Sequence, residues 1–416
     1  MDNGSGAHRE EEVWITGVGL VSSLGEGCEA HWCRMANGGC EPVIDAVRFT
    51  PYPVHPLAEV DFTAQIPRRG DLRQMGQWQR LGVHAAGLAL SDAGVAGDHA
   101  VLEAMDMIVA ADGGERDIEV DDAILHEMDR LNDPEAYLNE ALSTQLRPTL
   151  FLAQLSNLMA GNISIVHKVT GSSRTFMGEE MAGVSAAQMA VRKIRSGQSR
   201  ICLTGGAYNA ERDDMQLLFE LGGCLWAGDY RPVWERHAGG GGIVTGSVGA
   251  FLVLEAASHA QARGARPYAR IRDVLAERCD RSPGAAARNA LNQVRALSDH
   301  LGDGPLAVLS GACGAEPVTS EECWFFNRLE EEGISVSVRA YGSLLGHAVE
   351  AQFPAGLALA ALSASQGRFL SPAGGGALEK PYERAPERIL VTTWGHWRGE
   401  GMALVEAADA GMSRLH

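Results

Sequence analysis

The sequence predicts an α/β fold of many short strands and packed helices. Three observations point to it: helical apolar spacing that feeds short β-rich apolar runs, the return of that pattern in the second part of the chain, and 50 glycines among 416 residues with no G-X-Y period. A glycine share well above the usual ~7% marks tight turns and close backbone contacts. A helix that delivers the chain into a buried strand is an α/β signature. With 45% hydrophobic and 21% charged residues, the chain can bury a large core and is not disordered.

Val13 to Val21 (VWITGVGLV) is apolar and β-rich, punctuated by Gly17 and Gly19, and reads as a buried strand running into a loop. Its G-x-G lacks a third glycine at the dinucleotide spacing, where Ser22 stands, so no nucleotide site is expected. Gln77 to Ala93 carries helical spacing and stops at Gly94, and Met105 to Ala111 reads as a second buried strand. Asp112 to Arg147 is acidic, with helical pieces but little continuous apolar face, which predicts an insertion lying over the surface. Helical spacing returns from Thr149 to Val169 and from Met181 to Ser196, which feeds the strand Ile201 to Ala207. After the run Gly239 to Gly242 comes the strand Ala250 to Glu255, and Tyr268 to Val274 opens a second round, with short strands at Pro305 to Ser310 and Arg388 to Thr393. With no low-complexity linker and no solenoid period, the chain reads as two similar halves, 1–255 and 256–416, packed as one body.

Lys and Arg number 35 against 53 Asp and Glu, and the resulting net charge of −18 opposes nucleic acid and anionic membranes as partners. The eight cysteines form no C-x-x-C pair and no close Cys/His cluster, so no metal is expected and reduced thiols in a cytoplasmic protein fit best. Met1 to Val13 is acidic and polar, unlike a secretory leader, and no run of 18 apolar residues is present to span a membrane.

Taken in order, these segments resemble the β-ketoacyl synthase family. VWITGVGLVSSLGEG is similar to the family's first strand and loop, and LSNLMAGNISIVHKVTG to the segment leading to its nucleophile. Arg231-Pro232, Gly246 and AFLVLEAASHAQARGA resemble its central strand and following helix, and Gly346-His347 its second histidine motif. The resemblance covers nearly the whole chain. It implies a thiolase-like fold, two similar βαβαβ halves in a five-layer α-β-α-β-α arrangement, that dimerises. It also implies no cofactor of the chain's own, since acyl groups arrive on the phosphopantetheine of an acyl carrier protein.

In that family a cysteine at the N-terminus of a buried helix takes the acyl chain from a thioester, and the helix dipole favours its thiolate. Counting without gaps from Gly171 to Gly205 and Gly206 puts that position on Glu180, in FMGEEMAG, with no cysteine nearby. A carboxylate is a weak nucleophile toward a thioester and would form a high-energy anhydride. Loss of a nucleophile can cost on the order of a million-fold in turnover. The family's two histidines stabilise the enolate formed on decarboxylation. His347, in GSLLGHAVEA, matches the second, and Cys313, in GACGAEP, falls at the first with a one-residue gap. Gly342 stands where the resemblance places a lysine, and Ser247 where it places a glutamate. Four departures at one site imply a dismantled condensing machinery on a retained scaffold.

Blander roles compete at each position. Glu180 can complement the helix dipole, worth roughly 0.3–1 kcal/mol, or act with a raised pKa as an acid, a base or a plug against acyl chains. Cys313 is a displaced nucleophile or a small buried hydrophobe, and His347 a functional group or a satisfied core histidine. Ile243, Trp394 and Trp397 are the expected pocket residues. The last two lie in TTWGHWRGEG, where the family has a glycine-rich segment with a gating phenylalanine. Bulk there implies a filled pocket or ordinary aromatic packing. Arg68, Arg69 and Arg73 form a basic patch where the resemblance puts carrier-protein docking, against the overall charge of −18.

The leading expectation is a degenerate β-ketoacyl synthase homologue, similar to chain length factors and to the ketosynthase-like proteins of very-long-chain fatty acid (lipid A) synthesis. It would pair with an active, cysteine-bearing ketosynthase as a heterodimer. The alternatives are an active 3-oxoacyl synthase or malonyl decarboxylase with an altered site, and a stand-alone acyl-binding homodimer using the acidic insertion as its interaction surface.

Overall fold

The computed structural model describes residues 10–111, 113–146 and 150–408. Most of the N-terminal leader therefore lies outside the described residues, as do Asp112 and Arg147 at the ends of the expected insertion and Thr149 at the start of the following helical run.

Ten strands of four residues or more build the sheet: β1 Val13–Ser22, β2 Asp106–Ala110, β3 Ser173–Phe176, β4 Ile201–Tyr208, β5 Val248–Ala256, β6 Ala269–Glu277, β7 Leu306–Ser310, β8 Val336–Ala340, β9 Arg388–Trp394 and β10 Glu400–Ala407. They run in the order β3-β2-β4-β5-β1-β6-β10-β9-β7-β8, with a short strand, Gly25–Glu26, folded back onto β1. The second half repeats the first: β1 borders β5, followed by β4, β2 and β3, and β6 borders β10, followed by β9, β7 and β8. Parallel and antiparallel pairings match as well. In each half the fifth strand runs antiparallel to its neighbours, and the other pairs are parallel. The two halves join where Val13, Trp14 and Ile15 pair with Ile271, Arg270 and Ala269.

Nine helices matter for the site and its surroundings: α1 Gln77–Asp92, α2 Ile118–Met128, α3 Pro134–Thr144, α4 Asn157–His167, α5 Glu180–Arg195, α6 Asp213–Leu221, α7 Ala285–Ala296, α8 Val318–Glu331 and α9 Gln352–Ser365. Helices α1 and α4 cover the outer face of the first half and α7 and α8 that of the second, while α5 and α9 pack on each other and on strands of both halves. Every residue of α9 is buried, as a helix apolar all round must be. The layers are therefore α-β-α-β-α, the arrangement the resemblance implies.

With helices on both faces, the strands are continuous apolar runs and not alternating ones; all ten residues of β1 are buried. The glycines in β1 have a packing reason. A Cβ on Gly17 would lie 2.4 Å from the Ala89 carbonyl oxygen, and one on Gly19 would lie 1.9 Å from that of Ala85. Only glycine lets α1 lie this close to the strand.

The helical run expected up to Val169 is two helices, Leu150–Gln154 and α4, broken at Leu155 and Ser156. The acidic segment folds as α2 and α3, which pack together over Ile124 and Ala141 and leave Leu125 and Leu142 exposed. Glu115 ties this segment down by accepting hydrogen bonds from the backbone N–H groups of Gln77 (2.8 Å) and Trp78 (2.9 Å) at the start of α1. That contact satisfies donors the helix cannot satisfy itself.

A carboxylate clasped by two histidines

Glu180 is the first residue of α5, in the middle layer, and only 1% exposed. Its position is set by the extended connection from β3, which ends at Phe176 and turns through Gly178 (φ +119°) into the helix. The positive end of α5 favours an anion there.

His347 reaches the same point from the second half. It follows the short helix Gly342–Leu345 and is held by the backbone: its N–H donates to the Val244 carbonyl (2.8 Å), and its carbonyl accepts from the Gly246 N–H (3.0 Å). This clamp needs two glycines back to back. A Cβ on Gly246 would sit 1.8 Å from the Leu345 carbonyl oxygen, and Gly346 takes φ +75°. The Gly246 and Gly346-His347 motifs are thus one structural unit.

His396 is the third member. It lies in the turn between β9 and β10, which closes through a hydrogen bond from the Gly395 N–H to the Gly399 carbonyl (2.9 Å). Its ring packs near Phe219 and Trp397, at centroid distances of 5.4 and 5.3 Å.

The three side chains meet at one atom. Glu180 Oε1 lies 2.8 Å from His347 Nε2 and 2.7 Å from His396 Nδ1, and it accepts the His396 backbone N–H at 3.3 Å. Burial pushes the Glu180 carboxyl upward, but the two histidines outweigh it and hold the carboxyl well below the usual carboxylate range. Burial likewise lowers His396, yet the Glu180 charge carries it above the ordinary histidine value. The carboxylate is therefore ionised, with Oε1 taking all three of these contacts. This direction is opposite to the raised pKa that a general-acid role requires.

Among the described residues, these three form the only group of three or more His, Cys, Asp or Glu side chains with one ligand-type atom each inside a 4.8 Å span. Sequence spacing concealed it, because Glu180 is 167 positions from His347 and 216 from His396. In the sequence His396 stands only within the aromatic segment TTWGHWRGEG. No local signal marked it.

Cys313 is buried, and its thiol is pushed up to about 12, first by burial and then by the charge of Glu180. Its Sγ accepts from the Ala315 N–H (3.4 Å), and its carbonyl accepts from the buried Arg236 guanidinium (3.4 Å). It is a packed thiol and not a thiolate. Ser247, also buried, accepts the Ala210 N–H (2.9 Å), and Gly342 opens the short helix ahead of His347.

Ile243 and Trp394 are both buried, with Trp394 against Phe325 (5.7 Å). Trp397 is 56% exposed. Together with His396, Cys224, Arg281 and the glycines Gly240 to Gly242, it lines a cleft of about 330 Å³ that the cluster reaches through His396. Arg68, Arg69 and Arg73 are exposed on and before the short helix Arg69–Gln74, remote in sequence from this cluster. Each of the eight cysteines is free, and no helix among the described residues is long and apolar enough to cross a membrane.

Known proteins place this architecture. A β-ketoacyl synthase N-terminal domain profile matches residues 10–260. The tetracenomycin polyketide synthase ketoacyl synthase beta subunit of Streptomyces glaucescens is 32% identical over 274 residues, 62% of this chain and 62% of that protein, so the match spans less than two thirds of the relative's length. The actinorhodin polyketide putative beta-ketoacyl synthase 2 of Streptomyces coelicolor is 28% identical over 413 residues, 92% of this chain and 96% of that protein. Among solved structures, the ishigamide ketosynthase/chain length factor superposes with a TM-score of 0.76 at 21% identity, covering 96% of this chain and 100% of that one, which speaks to the fold alone. A profile match over more than half of the residues, joined to the repeated sheet order and the five layers, means that the chain belongs to the β-ketoacyl synthase family.

Proposed function

We propose that this chain is a non-condensing, chain-length-factor-like subunit that pairs with an active, cysteine-bearing ketosynthase in carrier-protein-dependent acyl elongation. The observation that carries the reading is Glu180. At the helix start where the family resemblance calls for a thiol, a buried carboxylate is clasped by both histidines through one oxygen. Acyl transfer to that oxygen would break both contacts and yield an anhydride. His347, the group expected to polarise a malonyl thioester, already spends its Nε2 on Glu180. Similarity to a polyketide synthase beta subunit supports the pairing role.

Strand β3 offers a surface for it. It ends the sheet, pairs only with β2 among the described residues, and is followed by the exposed Met177. An unpaired edge of this kind is a template for a second chain. We place the junction of the two halves at 255/256, carrier-protein docking at Arg68, Arg69 and Arg73, the acyl pocket near Ile243, Trp394 and Trp397, and the working protein in the cytoplasm.

The test combines acyl- and malonyl-carrier protein with the purified chain, alone and co-expressed with a cysteine-bearing ketosynthase from the same host, with products followed by intact-protein mass spectrometry. No turnover alone and a co-purifying, active pair are expected. Condensation by the chain alone overturns the proposal. Release of carbon dioxide without condensation would instead favour malonyl decarboxylation, with His347 leaving Glu180 to polarise the thioester.

A further inference from the structure

We propose that Glu180, His347 and His396 form a binding site for a first-row divalent transition-metal cation, held by one carboxylate oxygen and two imidazole nitrogens with its remaining positions open toward the cleft beside Trp397. This inference does not depend on whether the chain condenses acyl groups.

The ligand chemistry is the first ground. Two imidazoles and one carboxylate suit zinc, iron, cobalt or nickel, and three protein ligands with open positions are the pattern of reactive sites as opposed to structural ones. The donors come from three separate elements: the start of α5, the backbone-clamped residue after Gly346, and the closed turn between β9 and β10. None of them sits on a frayed end.

Geometry is the second ground. Metal–ligand bonds of about 2.1 Å place neighbouring ligand atoms about 3 Å apart in octahedral and about 3.4 Å apart in tetrahedral coordination. The Oε1 to Nε2 and Oε1 to Nδ1 distances are 2.8 and 2.7 Å, and the three atoms fall within a 4.8 Å span. Lengthening the two oxygen–nitrogen separations by about 0.2–0.7 Å gives the spacing a cation needs between neighbouring ligands. Each imidazole must present a lone pair where a proton now faces Glu180. For His347 the change breaks no other bond, because its buried Nδ1 has no hydrogen-bond partner among the described residues and accepts the proton in the other tautomer.

Access is the third ground. His396 lines the cleft of about 330 Å³ that Cys224, Arg281 and Trp397 border, so the cluster meets the cleft through that residue, with the buried Glu180 and His347 behind it. The positive end of α5 opposes a cation, and the carboxylate at that end offsets it.

The experiment uses the full chain without a polyhistidine tag, stripped with a chelator and titrated separately with Zn²⁺ by calorimetry and with Co²⁺ by visible absorbance. One equivalent per chain is expected to bind at micromolar or tighter affinity, and Co²⁺ is expected to develop d–d bands without thiolate charge-transfer absorption. His347→Ala and His396→Ala should each weaken binding by tenfold or more, while His99→Ala, at an exposed position, should leave it unchanged. Absence of saturable binding to the unaltered chain overturns the proposal, and so does one-equivalent binding that survives the His347→Ala/His396→Ala double substitution. Because the titration of the unaltered chain decides the first outcome, a variant that fails to fold does not shelter the idea. Condensing activity enters neither readout.

Discussion

Replacing Glu180 by Gln keeps the shape of the side chain and removes its charge, which isolates what the clasp contributes. Glu180 and the His396 side chain are 1% and 3% exposed, so solvent screening is small. Breaking a buried ion pair by neutralising one partner costs about 3–5 kcal/mol. Since the amide oxygen still accepts one histidine, the lower end, about 3 kcal/mol, is expected. With an unfolding entropy of about 2.1 cal/mol/K per residue, a chain of this length loses roughly 3 °C of Tm. The pH dependence carries the sharper test. Glu180 has its pKa depressed on folding, so its contribution is present above the unfolded value near 4.5 and fades as the pH falls. His396 has its pKa raised, so its contribution is present below the unfolded value near 6.5 and fades as the pH rises through the folded one. The difference in Tm between the unaltered chain and Glu180→Gln should therefore be largest between about pH 4.5 and 6.5 and shrink on both sides. The assay is calorimetric unfolding from pH 4 to 9 with chelator present. A difference that stays constant across that range, or lies below 1 °C at pH 6, refutes the ion-pair account.

Three further outcomes are expected. Glu180→Cys, which restores sulfur at the helix start, should not restore condensation measured on acyl- and malonyl-carrier protein, because Cys313 and Gly342 still occupy the other altered positions; turnover near that of an active synthase would contradict this. Iodoacetamide at pH 8 should alkylate the exposed Cys33 and spare Cys313, whose thiol is buried and pushed up to about 12, as read by peptide mapping. Substituting Arg68, Arg69 and Arg73 together by Glu should weaken carrier-protein binding more at low than at high salt, measured by calorimetry at two ionic strengths, and unchanged affinity would remove that patch from the docking surface.

Much of the fold was legible because its strands are buried on both faces and so read as unbroken apolar runs. Val13 to Val21, Met105 to Ala111 and Ile201 to Ala207 each match a strand to within two residues at either end. Strand β3 escaped notice because Ser173, Arg174 and Thr175 at a half-exposed sheet edge carry no apolar signal. Helix α9 escaped for the opposite reason: apolar on all sides, it shows no stripe of helical period. At the site, Glu180 could be located by counting from Gly171 to Gly205 and Gly206, and His347 by the adjoining Gly346, since backbone contact demands these glycines. His396 could not. Its role exists only through the turn that Gly395 and Gly399 close, and nothing in the segment's composition separates a clasping histidine from one in an aromatic patch.

The repeated strand order gives the clasp a meaning beyond its chemistry. Helix α5 follows the third strand of the first half and α9 follows the third strand of the second, so they are counterparts under an internal pseudo-symmetry and lie against each other at its centre. Glu180 opens one of these helices, and His347 precedes the other by a few residues. The carboxylate is thus supplied by one half of the fold and both imidazoles by the other. Neither half can assemble the cluster alone, so the contact serves as a latch across the pseudo-symmetry, closed only when the two halves have met in register.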